Sequence, residues 1–205
     1  MKKPIIIIFL VLLIDQALKF YIKLSMTIGQ EIPVAGNWFI LHFTENPGMA
    51  FGLQFAGEWG KILLSLFRIA AAIAIGIYLW TLSRRQTPFG PMLGISLILA
   101  GALGNIIDSC FYGLIFSEST WHTVATFMPQ GGGYAGFLHG HVVDMFYFPI
   151  IMIQKAQAPA WMPGFLFGPD DYFIFFRPVF NIADASITTG VLWLLLFERK
   201  FLRGL

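Results

Sequence analysis

The sequence predicts an all-α membrane protein, a four-helix transmembrane bundle that carries a small antiparallel sheet on one face. Composition is the first reason: of 205 residues, 57% are hydrophobic and only 12% are charged, about half the roughly 25% charged content of a soluble domain. Apolar runs are the second. A helix needs about 20 mainly apolar residues to cross a hydrocarbon core of roughly 30 Å, and four runs qualify, at about 4–22, 62–82, 89–110 and 179–197. The third is the contrast with the segments between them, which are rich in turn residues and aromatics.

The first run contains Ile5 to Ile14 without a polar interruption and then meets Asp15, Gln16 and Lys19. Its Lys2-Lys3 start also fits a cleavable leader, but Asp15 to Lys19 offers no small-residue cleavage site, so a retained span is expected. The second run carries Arg68 in its outer part, and the fourth has polar residues at one end. Lys2, Lys3, Arg84, Arg85, Arg199, Lys200 and Arg203 all fall on one side of such a bundle. Cations accumulate in short cytoplasmic loops, so both termini and the turn at Ser83 to Pro88 are expected in the cytoplasm. Segments 23–60 and 111–178 then lie outside.

Residues 23–60 place Ile32, Val34, Trp38, Phe39, Ile40, His42 and Phe43 between turn residues, a pattern of short antiparallel strands. Residues 111–178 hold Gly131 to Gly133, several prolines, and Trp121, Trp161, Tyr172 and Phe173, aromatics suited to the membrane interface. A net charge of +2 without a basic cluster argues against nucleic-acid binding. One cysteine, Cys110, excludes an internal disulfide framework and a multi-cysteine metal site.

Ionisable side chains inside a span are costly and usually face the bundle interior or a wet cavity. Asp15 and Lys19 are four apart, Asn105 and Asp108 three apart, and Asn181 and Asp184 three apart, so each pair shares one helix face. All three pairs fall at the outer ends of the predicted spans, and Asp184 lies about two turns inside the fourth. Asp144 joins them from the outer segment, flanked by apolar residues on both sides. Four carboxylates and two amides are thus expected at one depth. Asp15 with Lys19 also fits an exposed helix-end ion pair, and Asn105 a bridge between helices.

Two carboxylates within a few Å cannot both ionise, so one keeps a proton while the other stays a base. The base takes a proton from water, the water attacks a peptide carbonyl, and the protonated member hydrogen-bonds the developing oxyanion. No metal, cofactor or covalent intermediate is required. His139 and His141 share a strand face, but no third zinc ligand is evident. Two other classes fit less well: a small proton-coupled carrier needs a charged chain across the membrane, and a structural scaffold does not explain Asp184.

Together the motifs resemble those of bacterial lipoprotein signal peptidase, or signal peptidase II, an intramembrane aspartic protease family. They are Asp15-Gln16-Ala17-Leu18-Lys19, Asn46-Pro47-Gly48-Met49-Ala50-Phe51-Gly52, Gly101 to Asp108, Val142-Val143-Asp144 and Phe180-Asn181-Ile182-Ala183-Asp184, in family order. The resemblance implies a single membrane-embedded domain with a sheet cradle and a short surface helix over the site. It implies Asp144 and Asp184 as the catalytic dyad. Asn46, Asn105 and Asn181 would position substrate or dyad, and Asp15, Lys19 and Asp108 would support the site. The implied substrate is a diacylglyceryl-modified prolipoprotein, cut N-terminal to its lipidated cysteine, in the bacterial inner membrane near its outer face. The chain departs from the family pattern in two places. Ser109 stands where family members have Arg, and Phe111 to Phe137 reads as an insertion, which either shapes a lid or contacts another envelope protein. Met49, Ala50, Phe51 and Leu53 are expected to rest in the interface.

Overall fold

A computed structural model describes residues 1–47 and 57–204. Among the described residues three helices are long and apolar enough to cross a membrane: α1 (Lys2–Ser25), α2 (Gly57–Arg84) and α3 (Phe89–Ile107) with its continuation. The third runs on through a π-helical turn at Asp108–Tyr112 into the short α4 (Gly113–Ile115). The first five residues of the expected insertion therefore continue the helix instead of leaving it. The fourth expected span is shorter than its apolar run: α5 (Ile182–Phe197) has 16 residues, followed by α6 (Arg199–Leu202).

Residues 179–181 are withheld from α5 because the chain there serves the sheet. Phe180 bridges Phe146, exchanging backbone hydrogen bonds of 2.7 and 3.1 Å. Asn181 then caps the helix, its side chain accepting from the Asp184 N–H while the Asp184 carboxylate accepts from the Asn181 N–H. This capping box satisfies two otherwise orphaned donors. It also corrects the expected position of Asp184, which is the third residue of α5 and lies in its first turn, not two turns inside.

Around the helices the sheet runs β1 (Glu31–Ala35), β2 (Phe39–Asn46) and β3 (Val142–Tyr147) in the antiparallel order β1-β2-β3. Its inner side chains, Phe43, Val143 and Met145, pack on Ile22 of α1, on Met26 just past its end, and on Tyr112 and Phe116. A second hairpin, β4 (Ile151–Gln154) with β5 (Tyr172–Phe175), lies between β3 and α5. Ile151 to Ile153 and Tyr172 to Phe175 are apolar runs without the alternation of a half-buried strand, so this hairpin has no signature in the sequence. Met49, Ala50, Phe51 and Leu53 lie outside the described residues.

The outward faces of α1 and α2 present Ile5, Ile6, Phe9, Leu13, Leu63, Phe67, Ile73 and Ile77, all more than half exposed to the surroundings. A contiguous apolar surface of that size belongs in lipid. Inside, α3 packs closely on α5 and α1, and glycines permit it. A Cβ at Gly101 would fall 2.1 Å from the Ala183 carbonyl oxygen, and one at Gly104 2.7 Å from Asp15 Oδ2. Small residues at helix crossings let backbones approach closely in membranes. Gly101→Val is expected to push α5 off α3. Thermal unfolding in detergent should then show a loss of at least about 2 kcal/mol, in the overpacking range, and an unshifted midpoint would refute this account.

Candidate active site

Asp15, Lys19 and Lys23 stand at successive i, i+4 steps of α1 and are 1%, 0% and 0% exposed, so the face they share turns into the bundle. The reading of Asp15 and Lys19 as an exposed helix-end pair is thereby overturned. An ammonium has three donors, and Lys19 Nζ has three acceptors: Asp108 Oδ2 at 2.7 Å, Asp15 Oδ2 at 3.0 Å and Asn105 Oδ1 at 3.0 Å. Asp15 Oδ1 in turn accepts from the Ala183 N–H at 2.9 Å. The same carboxylate thus fastens the first turn of α5 to α1.

Asp108, fully buried, opens the π-helical turn, a local widening common at functional positions. With Ser109 in place of the Arg of the resemblance, its charge is met by Lys19, by Gln16 Nε2 at 2.9 Å and by the Val143 N–H at 3.4 Å. Ser109 itself turns back to the Asn105 carbonyl at 3.0 Å. Gln16, to which the sequence alone assigns no role in the site, also donates to Asp15 at 3.1 Å and accepts from the Tyr112 hydroxyl at 3.2 Å. The only sign of it in the sequence was its place beside Asp15, since an amide one step round the helix does not share the Asp15–Lys19 face.

From this hub two amides reach the remaining carboxylates. Asn105 accepts from Lys19 and donates Nδ2–H to Asp184 Oδ1 at 2.8 Å. Asn181 Nδ2 has two hydrogens shared among Asp144 Oδ1 at 2.7 Å and, at 3.2 Å each, the Val143 carbonyl and Asn105 Oδ1. Asn181 therefore holds Asp144 with its side chain and Asp184 Oδ2 with its backbone N–H, the latter at 3.3 Å. Asp15, Lys19, Asn105, Asp108, Asp144, Asn181 and Asp184 form one hydrogen-bonded network. Asn46 closes β2 opposite Val142, two register positions from the Thr44–Asp144 pair.

Asp144 is 6% exposed. Burial, reinforced by the negative charge of Asp184, pushes its carboxyl up to about 7. An unfolded Asp titrates near 4, so between about pH 4 and 7 the folded protein keeps a proton that the unfolded chain has lost. This group's contribution to stability is full below pH 4 and is lost as the pH rises through 7. If Asp144 and Asp184 are the acid and base of the reaction, turnover is expected to be bell-shaped in pH with its alkaline limb near 7, because only a singly protonated pair supplies both. A rate still rising above pH 9 would rule this out.

Asp184 also borders a cleft of about 370 Å³, walled by Phe176, Pro178, Phe180, Ala185, Thr188 and Thr189. Acid groups and an apolar cleft at one end of a lipid-facing bundle can hold water and a proton within reach of a peptide bond at membrane depth, which is the work of an aspartic peptidase embedded in a bilayer. Residues 7–199 match the family described as Signal peptidase (SPase) II, and the chain belongs to that family. A lipoprotein signal peptidase of Porphyromonas gingivalis is 45% identical over 193 residues, covering 92% of this chain and 79% of the relative. Another, from Amoebophilus asiaticus, is 39% identical over 193 residues, covering 93% and 75%. Two solved structures of a bacterial membrane enzyme share the fold. One aligns over 96% of this chain and 92% of its own with a TM-score of 0.60 at 25% identity. The other aligns over 98% and 89% with a TM-score of 0.60 at 24% identity. The protein is a peptidase of the signal peptidase II, aspartic type.

Proposed function

We propose that this peptidase removes the signal peptide from diacylglyceryl-modified prolipoproteins, cutting on the N-terminal side of the lipidated cysteine, with Asp144 and Asp184 as its catalytic pair. The observation that carries the reading is Asn181: one residue grips both carboxylates, and one of them borders the apolar cleft. Asp144 holds the shared proton, in keeping with its burial. Asp184 acts as the base, placed at the positive end of α5 and facing Asn105.

Water attacks the scissile carbonyl carbon and gives a proton to Asp184, while Asp144 passes its proton to the carbonyl oxygen. In the collapse of the resulting diol, Asp184 protonates the departing cysteine amine and Asp144 recovers a proton from a diol hydroxyl. The C–N bond breaks, leaving a carboxyl on the signal peptide. Asn105 and Asn181 orient the pair, and Asp15, Lys19 and Asp108 support them.

The whole chain is read as one membrane domain. Helix α5 spans about 24 Å at 1.5 Å per residue, and α6 extends it to the basic end, so this pair serves as the fourth crossing. That basic end gathers the Met1 amine at 2.9 Å from Ser83, and Lys3 over the Phe89 ring, which supports cytoplasmic termini in a bacterial inner membrane with the site near the outer face. The cleft along α5 suits the acyl chains of the substrate, which stay in lipid while the peptide meets water. Detergent-solubilised protein given a lipidated prolipoprotein is expected to release the signal peptide, and equal cleavage of the unlipidated precursor would overturn the substrate assignment. Asn46 is read as a positioning group for the reacting peptide. Asn46→Ala should cut turnover more than about tenfold, or about 1.4 kcal/mol, in a protein that still folds and inserts. An unchanged rate would leave Asn46 only its place at the end of β2, opposite Val142.

A further inference from the structure

A second buried ionic cluster lies one helical turn along α1 from the first. Lys23, fully buried, pairs with Glu45 of β2 and donates to Ser119 Oγ at 2.9 Å. Ser119, in the 111–137 segment, donates to the same Glu45 oxygen at 3.0 Å. The other Glu45 oxygen faces His141 Nδ1 at 3.3 Å, and the His141 N–H donates to the Tyr134 hydroxyl at 2.6 Å. The rings of Tyr134 and Phe116 lie 5.0 and 5.5 Å from Lys23 Nζ. One carboxylate thus binds together α1, β2, the inserted segment and the residue that leads into β3.

The position of that carboxylate gives the cluster its meaning. In the β2–β3 ladder Glu45 opposes Val143, with Thr44 opposite Asp144 on one side and Asn46 opposite Val142 on the other. The ladder is irregular just before this point: Leu41 pairs with Phe146 and Thr44 with Asp144, so β2 holds one residue more than β3. A one-residue slip turns every side chain of a strand to the opposite face, which would take Asp144 away from Asn181. Beyond such a bulge the ladder alone is a weak guide to register. Hydrogen bonds to a buried carboxylate are directional, and burying the charges costs desolvation that an apolar pair of the same volume would avoid.

We propose that Lys23, Glu45 and Ser119 are positioning residues for the reaction: they pin the register of β2 on β3 beside Asp144, and the 111–137 segment, by supplying Ser119, Phe116 and Tyr134, is a working part of the active site. This rests on the reading of Asp144 as half of the catalytic pair. None of the three touches the carboxylates of that pair, so their effect is to be read in kcat and not in substrate affinity.

The test uses the full-length protein in detergent with a lipidated prolipoprotein. Ser119→Ala, which leaves the ion pair in place, is expected to lower kcat at least fivefold with KM held within twofold. Glu45→Gln should lower kcat more, but it strands a buried ammonium and can weaken the fold. The double variant Lys23→Met with Glu45→Leu therefore accompanies it. That apolar pair is expected to keep the thermal midpoint within a few degrees of wild type while kcat stays at least tenfold down. A purely structural cluster would regain kcat with stability, so recovery to within threefold of wild type overturns the proposal, as does an unchanged kcat in Ser119→Ala. Asp144→Asn, run alongside, separates the two readings. If it is inactive, failure of the cluster variants to lose kcat counts against this proposal alone. If it is active, the catalytic pair falls and this proposal with it.

Discussion

Asp144→Asn and Asp184→Asn are each expected to lower turnover of a lipidated prolipoprotein by at least about a thousandfold, or about 4 kcal/mol in the barrier. Asn matches Asp in shape but neither takes a proton from water nor gives one to a carbonyl. The fold should survive both changes. At position 184 the amide oxygen can still accept from the Asn181 N–H that now meets the carboxylate at 3.3 Å. At position 144 a neutral side chain replaces a carboxyl that burial already pushes up to about 7. The measurement is single-turnover cleavage, with thermal unfolding in detergent as the check on folding. More than a tenth of wild-type turnover in either folded variant would remove that residue from the catalytic pair.

Lys19→Met is expected to be the most damaging single change to stability. It removes the cation shared by Asp15, Asp108 and Asn105 and leaves two carboxylates, 1% and 0% exposed, without it. Breaking a buried pair by deleting one partner costs about 3–5 kcal/mol, because an uncompensated charge stays behind. Asn105 loses the stronger of its two donors and keeps only Asn181 Nδ2 at 3.2 Å, so the amide that holds Asp184 is less firmly set. Adding Asp108→Asn to Lys19→Met should recover part of the loss by removing one stranded charge. Lys19→Arg should fail to substitute, since a planar fork does not reproduce three donors radiating from one atom. The midpoint of thermal unfolding reads all three, and a loss below about 1 kcal/mol in Lys19→Met would show that the hub is not what holds α1, α3 and α5 together.

The parts of this molecule that sequence reasoning reached are those governed by local geometry. Helical spacing puts Asp15 with Lys19 and Asn105 with Asp108 on shared faces, the cap-to-third-residue spacing joins Asn181 to Asp184, and all six enter one network. The Asp15–Lys19–Lys23 ladder was equally visible at four-residue spacing, yet Lys23 passed unremarked because its partner Glu45 is 22 residues away. The position of Asp184 was misjudged for a related reason. Hydropathy marks where a chain is apolar, but Phe180 is bridged to Phe146 and is not part of a helical turn, so α5 starts at its Asn181 cap.

Taken by itself, the sequence determined the solvent this protein lives in, three long apolar helices, the basic end of the bundle and the close-spaced pairs of polar residues, because composition and periodicity act over a few residues. Only the tertiary structure decided which faces meet. Gly101 and Gly104 let α5 and α1 close on α3, bringing the Ala183 N–H within 2.9 Å of Asp15. A bulged ladder and a buried carboxylate set which residue of β3 faces Asn181. Those outcomes depend on contacts between residues as many as 168 positions apart, and the free energy of such contacts comes from packing and desolvation that exist only once the helices have come together.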